Sequence, residues 1–208
     1  FISFLRYSYY RPRDIITMLK ILQEHSLRKE KNAFLPSEAF DDASFKREYS
    51  EYLLGEIRDQ LFFYYSREDY EYFLKFFTFL RGKGNFTFQE YVHSFENFAQ
   101  ETFATDAHRP GFMTSARIFL QFLYDLNVIC YIDETESDGE YIRWCFRERS
   151  YGNISPKVRE GVTYRVFIGL YKALNLGQKI IPPYQVGRPR TKSTSGPRKR
   201  VSKGKKSR

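Results

Sequence analysis

Acidic residues are missing from the last 23 positions of this 208-residue chain: Val186 to Arg208 holds ten Lys and Arg and no Asp or Glu. The net charge of +9 belongs to that stretch, because residues 1–185 carry 24 basic against 25 acidic side chains. A neutral body with a basic arm predicts an electrostatic tether rather than a structured basic surface. Aromatic residues are missing there too, since all 39 Phe, Tyr and Trp precede position 186. Rich in Ser, Gly, Pro, Lys and Arg, residues 182–208 have almost nothing to bury and are expected to be a disordered basic tail.

Long apolar runs are also absent. None approaches the roughly 18 residues of a membrane span, and no leader of signal-peptide pattern is visible. No membrane contact and a cytoplasmic location are therefore expected. Cysteine is scarce: Cys130 and Cys145 are too few for a disulfide scaffold or a zinc site. The three histidines, His25, His93 and His108, fall in no metal-ligand spacing, so no metal is expected. No Gly-x-Ser-x-Gly elbow occurs, and nothing in the sequence joins a Ser or Cys to a His and an acid. Carboxylate pairs such as Asp41-Asp42 and Glu68-Asp69 sit where helix N-termini favour negative charge. No catalytic residue is assigned. GRPRTKST at 187–194 falls short of a phosphate-binding loop, because Lys192 comes one position early and Thr191 stands where Gly is needed. No cofactor is thus expected in this chain itself.

What is present is a core-forming body, 42% hydrophobic over the whole chain. Pro12 and Asp14 suit a helix start, and Ile15, Met18, Leu19 and Leu22 make an apolar stripe over 12–25. Asp42 can cap a second helix over 43–64, with Phe45, Tyr49, Tyr52, Leu53, Ile57 and Leu61 on one side. A third over 67–80 is stopped by Gly82 and Gly84. Thr87 with Glu90 forms a capping-box pattern ahead of Tyr91, Phe95 and Phe98. Another helix follows over 114–126, then two strands, 128–133 and 141–148, around the turn TESDG. Pairing Glu134 with Tyr141 would set Cys130 opposite Cys145, and the second strand would place Arg143, Arg147 and Arg149 on one face. A short closing helix is expected over 169–176. The expected fold is mainly α: a helical bundle (1–81), a winged-helix-like α+β module (82–181) and the tail (182–208).

The helix entering a DNA groove in such a module would be SARIFLQFLYDLN, whose polar readers are Arg117, Gln121 and Asn127. Its wing carries Asp133, Glu134, Glu136, Asp138 and Glu140, which repel phosphate. Packing or partner binding is favoured over DNA contact for the body. The tail is different: Gly187-Arg188-Pro189-Arg190 matches the core of an AT-hook, though Val186 replaces the usual preceding basic residue. The generic polycation reading includes the same arginines with Lys192, Arg198, Lys199 and Arg200, all candidates for nucleic-acid contact.

Tyr10-Arg11-Pro12-Arg13-Asp14-Ile15-Ile16, opening a helix, resembles a signature that follows the nucleotide-binding core in bacterial P-loop ATPases of the STAND and origin-recognition AAA type. The resemblance extends more loosely to FLYDLNVICYIDE (122–134), to Phe146-Arg147-Glu148-Arg149 and to YRVFIGLYKALNL (164–176). It implies that the chain, which opens mid-pattern on Phe1, is the C-terminal helical and winged-helix part of such an ATPase. ATP would be held by an upstream domain, and the partner would be that ATPase core or an effector protein. Arg11 and Arg13 are the implied sensors of the γ-phosphate. The alternatives are local pairing of Arg11 and Arg13 with acids such as Asp14, and, for the whole chain, a stand-alone DNA-binding protein anchored by its tail.

Overall fold

The computed structural model describes residues 5–28, 37–104, 108–134 and 140–177. Arg188, Arg190, Lys192, Arg198, Lys199 and Arg200 lie outside the described residues, as do Glu136 and Asp138 of the expected wing. The fold is mixed α+β and mainly helical. The helices α1 (Pro12–Arg28), α2 (Ser37–Phe40), α3 (Ala43–Leu61) and α4 (Arg67–Phe79) precede the first strand among the described residues. Then follow β1 (Asn85–Thr87), α5 (Phe88–Phe103), α6 (Ala116–Asp125), β2 (Ile129–Glu134), β3 (Glu140–Arg143), α7 (Cys145–Glu148) and β4 (Thr163–Val166).

Local chemistry sets most boundaries. The Asp42 carboxylate accepts from the N–H groups of Ser44 and Phe45 at the start of α3. Ser66 with Asp69, and Thr87 with Glu90, complete reciprocal capping boxes for α4 and α5. Arg81 (φ 51°) and Gly82 (φ 78°) turn the chain out of α4 through the left-handed region, which Gly tolerates without steric cost. Ser115, one residue later than the expected start, caps α6 by accepting from the Ile118 N–H.

The strands form one antiparallel sheet in the order β1-β4-β2-β3. β4 is the member that the sequence pattern concealed: Thr163–Val166 pairs with both β1 and β2, and only a 3-10 turn, Ile168–Leu170, begins the expected closing helix. The hairpin register also differs by one from expectation. Glu134 faces Glu140 and Asp133 faces Tyr141, while Cys130 faces Arg165 on β4. A one-residue shift exchanges the two faces of a strand, so Cys130 and Cys145 are not cross-strand partners. The second strand ends at Arg143, where Trp144 caps the short α7, so Arg147 and Arg149 do not share a strand face with Arg143.

The core is aromatic throughout. Phe76, fully buried, contacts the rings of Phe77, Tyr91, Phe95, Phe98 and Phe119 at centroid distances of 4.8–6.4 Å. Each such ring contributes about 1.5–3 kcal/mol through burial, and edge-to-face pairs add to it. One cluster of buried side chains runs from Met18 to Leu176, so the segments on either side of residue 81 share it. Tyr9 stacks on Phe167 at 4.1 Å, and the Ala173 N–H donates to Ser50 Oγ at 2.9 Å. In α1 the buried face is Asp14, Met18, Ile21, Leu22 and His25, whereas Leu19 of the expected stripe is exposed. The reason is Asp14, which is drawn inside by polar partners described next.

Candidate functional site

Arg11 and Arg13 stand where α1 meets α3. Asp14 is fully buried, and a carboxylate removed from water needs compensating donors. Arg11 Nε supplies one at 2.8 Å and the Tyr52 hydroxyl another at 3.3 Å, while the Tyr49 hydroxyl donates to the Asp14 carbonyl. Arg13 instead forms an ion pair with Glu56 of α3. Both arginines therefore have acid partners within the chain. Arg11 is nonetheless held rather than hidden: its guanidinium lies over the Tyr9 ring at 5.0 Å and lines a cleft of about 360 Å³.

This cleft separates the helical layer from α6 and α7. Glu56, Ile57 and Gln60 of α3 form one wall; Asp125, Asn127, Phe146 and Arg149 form the other. The far wall is tied together internally. Asp125 accepts from Gln121 Nε2 at 2.9 Å and from the Cys145 thiol at 3.6 Å, and the Phe146 N–H donates to Asn127 Oδ1 at 3.2 Å. Burial pushes the Cys145 thiol up to about 11, against the opposing pull of Arg149. Burial likewise pushes Cys130 up to about 12. Burial thus favours the protonated, weakly nucleophilic form of both thiols.

Below the cleft, Glu148 joins three elements. Its two carboxylate oxygens accept from the hydroxyls of Tyr124 on α6 at 2.8 Å and Tyr131 on β2 at 2.5 Å. Burial, and then these bonds to a carboxylate, hold both phenols well above their ordinary range. The network locks α7 to α6 and the sheet.

The three polar side chains of the α6 segment are all engaged within the chain. Arg117 pairs with Glu160 at 2.7 Å. Gln121 donates to the Pro156 carbonyl and accepts from the Val158 N–H, and Asn127 is held by Phe146. Residues 156–160 thus supply partners for Arg117 and Gln121. Arg143 is likewise committed, to Asp133 at 2.9 Å.

One polar relay escaped the sequence reading. His25 Nε2 meets Glu48 at 2.7 Å, and Ser44 Oγ meets His25 Nδ1 at 3.4 Å. Ser44 Oγ also bonds the capping Asp42, and none of the clefts described here reaches it, so the relay clamps α1 to the start of α3. Arg149, Asn127 and Asp125 were likewise not legible as cleft residues, because they converge only when α7 folds back onto the end of α6. Among the described residues no group of His, Cys, Asp and Glu is arranged to hold a metal ion. No helix among them is long and apolar enough to cross a membrane.

Scans against family models, curated proteins and solved structures find no match to this chain.

Proposed function

We propose that this chain is a non-catalytic, partner-binding regulatory region of winged-helix type that works beside a P-loop ATPase domain. α4, β1, α5, α6, β2 and β4 run in the order helix, strand, helix, helix and two strands, which is compatible with a winged helix, and on this reading β3, α7 and the chain up to residue 162 belong to an enlarged wing. The observation that favours a protein partner over duplex reading is the engagement of Arg117, Gln121 and Asn127. A recognition helix needs such groups free for base edges.

The mechanism rests on the start of α1. Arg11 pairs with Asp14 and Arg13 with Glu56, and Arg11 and Glu56 line the cleft. A γ-phosphate presented by the upstream domain would compete for one of these arginines, since guanidinium groups pair bidentately with phosphate. Release of Glu56 would alter how α1 sits on α3, and the shared core would pass that change to the winged module. The basic tail adds a nucleic-acid tether through Arg188 and Arg190.

In the protein carrying the ATPase domain, Arg13→Ala is expected to impair ATP turnover or nucleotide-dependent assembly; unchanged behaviour removes the sensor role. The competing reading is a stand-alone DNA-binding protein anchored by an AT-hook-like tail. It predicts that duplex binding survives deletion of 186–208 with a steep salt dependence, whereas the regulatory reading predicts that duplex binding is lost.

A further inference from the structure

Two clefts lie on either side of one ridge. The first is the cleft of Arg11 and Arg149; the second, of about 310 Å³, opens on the outer face of the sheet and is lined by Arg6, Tyr10, Ile142, Trp144, Arg165 and Phe167 among others. Tyr9–Arg11 and the α7 turn run between them, with Tyr9 and Phe146 in the first cleft and Tyr10 and Trp144 in the second. The ridge is faced with rings: Phe146 and Trp144 stack at 6.3 Å, and Trp144 meets Phe167 edge-on at 5.5 Å. Its crest is exposed, because Tyr10 and Phe146 keep 45% and 40% of their surface in water. Tyr10 is held at φ 59°, a conformation non-glycine residues rarely adopt, with the Arg147 guanidinium 5.8 Å from its ring.

The charges along this ridge are unbalanced. Of the carboxylates lining the clefts, Glu56 is neutralised by Arg13 and Glu140 by Arg165, while Asp125 is bonded only by the neutral donors Gln121 and Cys145 and keeps its charge. Among the described residues, Arg6, Arg147 and Arg149 have no carboxylate within ion-pair distance. Arginines without a carboxylate partner, interleaved with exposed rings and base-sized recesses, are the combination that binds unpaired nucleotides, with bases stacking on rings and phosphates resting on guanidinium groups. A duplex cannot use it, because its bases are already stacked and paired.

We propose that this ridge is a binding surface for single-stranded nucleic acid, distinct from α6 and from the tail, with Phe146 and Tyr10 as stacking platforms and Arg6, Arg147 and Arg149 as phosphate contacts.

The test uses the full chain with a fluorescent 12-mer of oligo-dT and a duplex of the same length. Ultraviolet cross-linking followed by peptide mapping should place the nucleotide adduct on Tyr10 or Phe146; adducts confined to 178–208 overturn the proposal. Phe146→Ala should weaken single-strand binding about 10-fold and leave duplex binding unchanged. Arg147→Ala with Arg149→Ala should lower the salt slope for the single strand by about 1.4, as expected for two lost contacts. All three side chains are substantially exposed, so melting temperatures should stay at the parent value; if a variant melts early, Arg147→Glu replaces it in the same comparison. Equal loss of single-strand and duplex binding, or displacement of the 12-mer by poly-glutamate at the same charge concentration as by unlabelled oligo-dT, assigns the ridge to general anion or acidic-protein contact and refutes the proposal.

Discussion

Glu148→Ala should destabilise the fold far more than a half-buried surface carboxylate usually does. The side chain accepts hydroxyl protons from Tyr124 and Tyr131, both fully buried as residues. Removing it strands two donors in the interior, and a hydrogen bond to a charged group contributes about 1.5–3 kcal/mol. Water that reaches the half-buried Glu148 position offsets part of this, which leaves a loss of about 3 kcal/mol. For a chain of this size, about 2–4 °C of melting temperature is lost per kcal/mol, so the variant should melt about 6–12 °C lower. Calorimetry gives that shift directly. The paired control is Tyr124→Phe with Tyr131→Phe, which removes the donors and leaves a carboxylate that water can solvate; it should cost less than Glu148→Ala. A Glu148→Ala midpoint within 2 °C of the parent (roughly 1 kcal/mol or less) would refute the idea that this carboxylate clamps α7 to α6 and β2.

Gly169→Ala should cost about 1–3 kcal/mol in denaturant unfolding, because the new Cβ would lie 2.7 Å from the Tyr7 carbonyl oxygen and 2.8 Å from Leu53. Gly111→Ala, with open space around it, serves as the tolerated comparison. Burial pushes Tyr164 up to about 12 from an ordinary 10.0. Above pH 10 the unfolded chain then binds fewer protons than the folded one, so stability should be level below pH 10 and fall as pH rises toward 12; melting temperatures across pH 8–12 read this directly. At pH 8 the native protein should react with a thiol reagent at neither cysteine, since burial holds both thiols protonated, and should show two thiols in denaturant.

The helices were legible because their signals are local. Thr87 with Glu90 and Asp42 before Ala43 act within one turn, and the Tyr91, Phe95 and Phe98 stripe is the face that α5 buries. The hairpin was legible in kind but not in register, since β2 is held on its other edge by β4, far along the chain, where Ile129 pairs with Val166 and Ile132 with Thr163. For the same reason Arg147 and Arg149 left the expected strand: Trp144 ends pairing and starts a helical turn that brings them beside Tyr10 and Arg11.

By itself the sequence determined the neutral, aromatic body, the confinement of excess positive charge to its last 23 positions, and the capped helices, all of which depend on composition or on contacts within a few residues. Only the tertiary structure decided which polar groups are spent and which remain available. Arg117, Gln121 and Asn127 are bonded by Glu160, by Pro156 and Val158, and by Phe146, while Arg147 and Arg149, expected on one strand face with Arg143, lie instead on and just after α7. The physical reason is that a side chain's chemistry depends on its partners, and long-range folding brings those partners to it.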